Sequence, residues 1–277
     1  MKITRPSGRA VTTSFMKWEF MRALFSFPNY IAIFLSLFIA WLLLNGTVNS
    51  VIENGLLIST NPFLIPFLAI LIPYAVFLAL VVAISLAREI ENRTLEVLFF
   101  APIQFPSFVL GRFLGQMTYF IVALLFVSIF FIGYALSADM KIPTGLLGAI
   151  AISPFTVASV VGFGILIASL IRRARLTIVV LLSIILVLLA IHFGQAILPS
   201  LQLDETSNAL SVLGDFVKIL YRLVEWISPF AYLAKGIEAS QIGELHLYLM
   251  VFVGALVYTA VTLALAIWVL HKRGFSR

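Results

Sequence analysis

Residues 88–112 read REIENRTLEVLFFAPIQFPSFVLGR, and they are the one long polar interruption on the side of the chain that carries most of the basic charge. On either side the sequence is nearly pure hydrocarbon: residues 63–87 before it and residues 113–136 after it are each long enough to cross a bilayer, which takes about 20 apolar residues at a rise of about 1.5 Å. Within the stretch, Leu95-Glu96-Val97-Leu98-Phe99-Phe100 is apolar but too short to span. Asn92 or Thr94 can cap a helix there, Glu96 falls in a first turn where the helix dipole favours an acid, and Pro102 ends it. The spacing predicts a helix of about two turns, too short to be stable alone. It needs a membrane face or a partner surface to hold it.

The rest of the chain agrees with that setting. Hydrophobic residues make up 62% of 277 and charged residues 11%, and mean hydropathy is +1.13. Soluble domains average about 45–50% and about 25%. A polytopic α-helical membrane protein follows, because every backbone polar group must be satisfied inside the bilayer. Six stretches qualify as spans, at residues 27–44, 63–87, 113–136, 146–171, 176–198 and 247–270. The first apolar run starts at Phe27, late for a signal peptide, and its end lacks a small-residue cleavage site, so it is read as a span. Pro66 and Pro73 in the second span and Pro154 in the fourth are expected to kink or loosen their helices.

Orientation comes from the basic residues. The N-terminal segment holds Lys2, Arg5, Arg9, Lys17 and Arg22, the second connection Arg88, Arg93 and Arg112, and the fourth Arg172, Arg173 and Arg175. The C-terminal tail adds Lys272, Arg273 and Arg277, and only Lys141, Lys218, Arg222 and Lys235 fall on the opposite side. The positive-inside rule makes the richer side cytoplasmic, with both termini on it, in a cell inner or plasma membrane. The net charge of +6 does not indicate nucleic acid, because the basic residues sit in short clusters between apolar runs.

Two flanking regions carry further helices. Over residues 12–27, Phe15, Trp18, Met21, Arg22 and Phe25 recur at helical spacing, predicting an interfacial helix before the first span, with Pro28 at the bend. In the long loop over residues 199–246, Leu210, Leu213, Val217, Leu220, Val224 and Ile227 form an apolar stripe. Ser228-Pro229 then restarts a second short helix, with Ser as N-cap and Pro at the first position. Both outer helices are expected to rest on, or dip into, the outer leaflet before the sixth span.

Chemistry is mostly excluded. There is no GxxxxGK[ST] P-loop, no HExxH and no GxSxG, and zero Cys removes thiol catalysis and Cys-ligated metals. No Asp, Glu, Lys or Arg lies well inside the six expected spans; only His192 and Gln195 are polar enough to serve a coupling ion. Gly111 and Gly115, and Gly162 and Gly164 in the fourth span, occur in small-xxx-small patterns that let helices approach closely.

The run Glu89-Ile90-Glu91-Asn92-Arg93-Thr94-Leu95-Glu96-Val97-Leu98, followed by Ala101-Pro102, resembles the motif after the second span of ABC-2 type transporter permease subunits. Those carry an acidic lead-in, Gly-Thr-Leu-Glu, a hydrophobic pair and a proline. The resemblance extends to the six-span layout, the interfacial N-terminal helix and the final outer loop with its Ser-Pro-Phe. One departure is Arg93, where the family commonly has glycine; it offers a cation to an acid on a partner.

The resemblance implies a fold that is all-α, with a cytoplasmic coupling helix between spans 2 and 3. It implies that Glu89, Glu91, Arg93, Thr94, Leu95, Glu96, Leu98 and Pro102 couple to a separate ABC ATPase. Two ATPase copies and a second permease chain, as homo- or heterodimer, are expected, with ATP and Mg on the ATPase and no cofactor on this chain. Its substrate would be exported, and a path without buried charge suits lipids or amphipathic molecules. The rival readings are an ion-coupled carrier or channel, which would transport alone on a gradient, and a non-transporting accessory subunit, which would bring down no ATPase.

Overall fold

The computed structural model describes residues 8–54, 62–92, 105–138, 140–171, 173–197 and 226–272, together with 219, 222 and 224. The expected coupling helix and most of the first outer helix lie outside the described residues, as do the side chains of His192 and Gln195. Among the described residues eight helices follow in order: α1 (Gly8–Leu24), α2 (Phe27–Asn54), α3 (Leu64–Glu91), α4 (Phe105–Ser137), α5 (Thr144–Ile171), α6 (Ala174–Ile197), α7 (Pro229–Ile242) and α8 (Leu245–Lys272). Six of them, α2, α3, α4, α5, α6 and α8, are long and apolar enough to cross a membrane. No strand occurs among the described residues.

Between helices in a bilayer the hydrophobic effect supplies little, because lipid is as apolar as leucine; close packing and interhelical hydrogen bonds do the work. The bundle is built accordingly around α5, whose most apolar window is 67% buried, whereas the windows of α2 and α6 are 22% buried. Helix α5 packs on α3, α7 and α8. Its glycines make this possible. A Cβ on Gly162 would stand 2.7 Å from Thr262 Oγ1 of α8, and one on Gly164 would stand 2.9 Å from the Ala79 carbonyl oxygen of α3. Pro73 and Pro154 lie inside α3 and α5, and both helices run on through them.

The corner between α1 and α2 explains itself locally. The chain turns at Phe25 and Ser26, and Asn29 Nδ2 donates to the Ala23 carbonyl at 2.7 Å, while the Tyr30 hydroxyl donates to the Leu24 carbonyl. Side chains from the first turn of α2 thus bond the last carbonyls of α1, which lack an i+4 helical partner; the Ala23 carbonyl also accepts from the Ser26 N–H at 3.3 Å. Pro28 is the second residue of α2 rather than the bend itself, a position where its missing N–H costs nothing.

Helix α7 is the second of the two short helices expected between residues 199 and 246, and it is packed into the bundle rather than resting on its surface. Nine of its residues, including Phe230, Leu233, Gly236 and Ser240, are buried. It runs antiparallel to α5: Ser159 Oγ donates to the Pro229 carbonyl at 3.3 Å, and Gly236 and Gly148 face Ile152 and Ser240 respectively. Ser159 lies 15 residues into α5, so the Ser228-Pro229 break sits roughly 22 Å along that helix from its start. Irregular backbone at such depth must be satisfied by protein. Tyr232 and Tyr258 do this, donating to the Trp226 carbonyl at 3.2 Å and the Ile227 carbonyl at 2.9 Å. Gly243 ends α7 in the left-handed region, φ +76°, with its N–H on the Ala239 carbonyl.

Candidate functional site

At the end of the bundle that carries the basic residues, α1, α3 and α4 are joined by charge. Arg112 Nε donates to Glu19 Oε1 of α1 at 2.7 Å, and Arg112 Nη2 donates to Glu89 Oε1 of α3 at 2.5 Å. The Arg112 side chain is 3% exposed and that of Glu19 9%. Two carboxylates around one guanidinium compensate a cation that would otherwise be costly to bury. Arg112 Nη1 has no acceptor among the described residues. A buried donor left without a partner costs about 1–3 kcal/mol.

The sequence expectation for this residue needs correcting. Arg112 was assigned to the connection before a third span starting at Phe113, as a topology signal only. The helix begins at Phe105, so Arg112 lies two turns inside it and is buried. Pro106 at the second helical position was the available signal, since proline favours the first turn. Charge therefore enters the spans at their basic ends, as buried Arg112 in α4 and as Arg88, Glu89 and Glu91 in the last turns of α3.

Close packing makes the ion pair possible. A Cβ on Gly111 would stand 2.6 Å from Phe15 Cβ and 2.9 Å from the Thr12 carbonyl oxygen, and one on Gly115 would stand 2.7 Å from Glu19 Cβ. The two glycines form a seat for α1, and Arg112 between them reaches the acid that α1 presents. Phe15 and Phe108 meet edge to face at 5.3 Å, and the Arg112 guanidinium lies 5.0 Å from the Phe108 ring. Helix α1 is thus docked along α4, in addition to any contact with the membrane surface. Sequence reasoning missed Glu19; the signal was an acid in a basic, amphipathic helix, with Gly-Arg-x-x-Gly elsewhere to receive it.

Glu91 has a different partner. Its Oε2 accepts from the Ala174 backbone N–H at 2.9 Å, capping the first turn of α6 from the last turn of α3. Arg22 Nη1 donates to Ser85 Oγ at 3.0 Å, tying α1 to α3 a second time. Of the residues expected to couple to a partner, Glu89 and Glu91 are therefore in the last turn of α3 and each engages another helix. Arg93, Thr94, Leu95, Glu96, Leu98 and Pro102 lie outside the described residues. Beside the network, Ser14, Phe15, Trp18, Glu89 and Phe108 line an open groove of about 340 Å³.

The residues are ion pairs, small residues and aromatic contacts, and among the described residues no cluster could hold a metal. What the arrangement can do is mechanical: it fixes α1, α3, α4 and the start of α6 to one another at the end from which the 93–104 segment leaves and returns. Six membrane-length helices with such a joint define a multi-pass membrane domain. The family model for ABC-2 family transporter proteins matches residues 49–275, and the chain belongs to that family. A comparison with curated proteins produced no match. The family match begins within α2, so α1, with Glu19, lies ahead of it.

Proposed function

We propose that this chain, a permease subunit of an ABC transporter by family, works as the membrane half of an exporter driven by a separate ATPase. Its basic end faces the cytoplasm, and residues 94–102 form the coupling helix that seats in the ATPase. Two permease chains and two ATPase copies make the transporter, with ATP and Mg bound on the ATPase. The cargo is an amphipathic or lipid-like molecule, in keeping with spans whose interiors carry no charge.

The observation that carries this reading is the Glu89–Arg112–Glu19 network. The 93–104 segment connects α3 to α4, and just beyond its two ends those helices are clamped to each other and to α1. A force applied to the segment is thereby delivered to three helices together, and through Glu91 to α6. A flexible connection would dissipate it.

The test is ATPase and transport activity of the co-purified complex carrying Glu96→Ala and Leu98→Ala. We expect the complex to assemble and its ATP hydrolysis to uncouple from transport, with transport falling about tenfold or more for loss of these contacts. Unchanged transport, or transport by this chain alone on an ion gradient, overturns the reading.

A further inference from the structure

A cavity of about 220 Å³ opens between α1, the first turn of α2, the last turns of α3 and the stretch of α4 from Arg112 to Gln116. One water occupies about 30 Å³ of liquid, so this is room for several waters or for one tetrahedral anion with part of its carrier. Its lining includes three guanidinium groups, from Arg22, Arg88 and Arg112, and one carboxylate, Glu19. That carboxylate is already held by Arg112 Nε. Arg88 forms no ion pair among the described residues. The lining therefore has an excess of positive charge.

The buried polar atoms indicate what would fill it. Arg112 and Gln116 both line this cavity and are each only 2% exposed, and Arg112 Nη1 and Gln116 Nε2 are N–H donors with no acceptor among the described residues. Both want an acceptor, and a cationic donor prefers an anionic one. Asn29, 1% exposed, leaves Oδ1 without a donor, a place for a hydroxyl. Around the α1–α2 corner, Trp18, Phe25, Phe27 and Tyr30 are all more than half exposed. Aromatic side chains gather at the membrane–water boundary, and basic pockets between spans at that level suit phosphate-bearing headgroups.

We propose that this cavity binds a phosphate anion, with Arg22, Arg88 and Arg112 Nη1 as cationic donors and Gln116 Nε2 as a neutral one. The phosphate arrives either on an anionic glycerophospholipid, whose glycerol hydroxyls Asn29 can receive, or as the free ion. Bound there, it bridges α1 to α3 beside the Glu19–Arg112 pair and holds the joint closed. The site goes beyond the transport reading and does not depend on it, since binding is read on the chain without an ATPase.

The experiment uses the full chain in detergent, with native mass spectrometry and thermal melting, against phosphatidylglycerol, diacylglycerol and inorganic phosphate. Phosphatidylglycerol is expected to bind at one per chain and raise Tm, and diacylglycerol to do neither. If millimolar inorganic phosphate displaces the lipid and raises Tm itself, the free ion suffices; if it does neither, the headgroup on its lipid is the ligand. Arg22→Gln with Arg88→Gln, both at exposed positions, weakens binding at least about tenfold, as loss of charged hydrogen bonds requires. Gln116→Leu, which removes an unpartnered donor, weakens it without lowering the lipid-free Tm. Lys17→Gln with Arg175→Gln, exposed basic residues outside the cavity, leaves it unchanged. Equal binding of diacylglycerol, full binding by the Arg22/Arg88 variant, or an equal loss in the Lys17/Arg175 control overturns the proposal.

Discussion

Arg112 Nε meets Glu19 Oε1 at 2.7 Å across 93 residues of chain, so the N-terminal helix is held by a residue that follows the second span. Removing one member of such a pair strands the other as a buried charge. Arg112→Ala leaves the buried Glu19 without its cation and should destabilise the chain by about 3–5 kcal/mol. Glu19→Gln keeps an acceptor and should cost less. Denaturation in mixed micelles gives the ranking, and hydrogen exchange over residues 8–24 should rise in Arg112→Ala; equal stability of the two variants would contradict the pairing.

The glycine seat gives a sharper contrast. Gly111→Ala places a methyl group 2.6 Å from Phe15 Cβ and 2.9 Å from a backbone carbonyl, whereas a Cβ at Gly133 on the same helix meets nothing within 4 Å. The first substitution should lower Tm and expose α1 to protease. Gly133→Ala should be neutral or stabilising by up to about 1 kcal/mol, the helix preference for alanine. Similar melting temperatures for the two would show that α1 does not sit on Gly111.

The two glycines of α5 should differ in whether they can be rescued. A Cβ on Gly164 meets the backbone oxygen of Ala79, which cannot move without moving α3; one on Gly162 meets chiefly the hydroxyl of Thr262. Thr262→Ala should therefore recover much of the stability lost in Gly162→Ala. Ala79→Gly should recover little of that lost in Gly164→Ala. Melting temperatures of the four single and two double variants decide it.

Glu91 separates a structural role from a coupling role. Its carboxylate accepts from the Ala174 N–H, and a side-chain cap of this kind is worth about 0.5–2 kcal/mol. Glu91→Gln retains an acceptor, so exchange protection of the first turn of α6 should fall less than in Glu91→Ala. If Glu91 also contacts the ATPase through its charge, Glu91→Gln lowers coupled transport while protection at Ala174 is largely kept. Loss of both in parallel assigns Glu91 to the α3–α6 joint alone.

The absence of cysteine makes orientation easy to test. Single variants Glu96→Cys and Glu244→Cys should react with an impermeant maleimide from opposite faces of the membrane, Glu96→Cys from the cytoplasm. Labelling of both from one face contradicts the orientation.

Much of the fold was readable along the chain. The six spans lie within a few residues of the apolar runs, except that α4 begins at Phe105 and not Phe113 and that α2 continues as helix to Asn54, past the run that ends at Leu44. There the run looked broken by Arg112, because a hydropathy window scores the residue and not its partner. The N-terminal helix was legible from the spacing of Phe15, Trp18 and Met21, and the start of α7 from Ser228-Pro229. The depth of α7 was not, since a helix that mixes Phe, Tyr, Leu and Ile with Lys, Glu, Ser and Gln has the same composition on a membrane surface as between α5 and α8.

By itself the sequence determined the class, the number of spans and the side on which the basic residues gather. Span length and backbone satisfaction in lipid are properties of a continuous stretch, and charge bias is a property of the connections. The tertiary structure alone decided that Glu19 belongs to Arg112, that Glu91 belongs to Ala174, and which helix each glycine admits. Those pairings depend on how each helix is rotated about its axis. A helix that is apolar around its whole circumference carries no amphipathic face to announce that rotation, so close contacts between distant residues settle it.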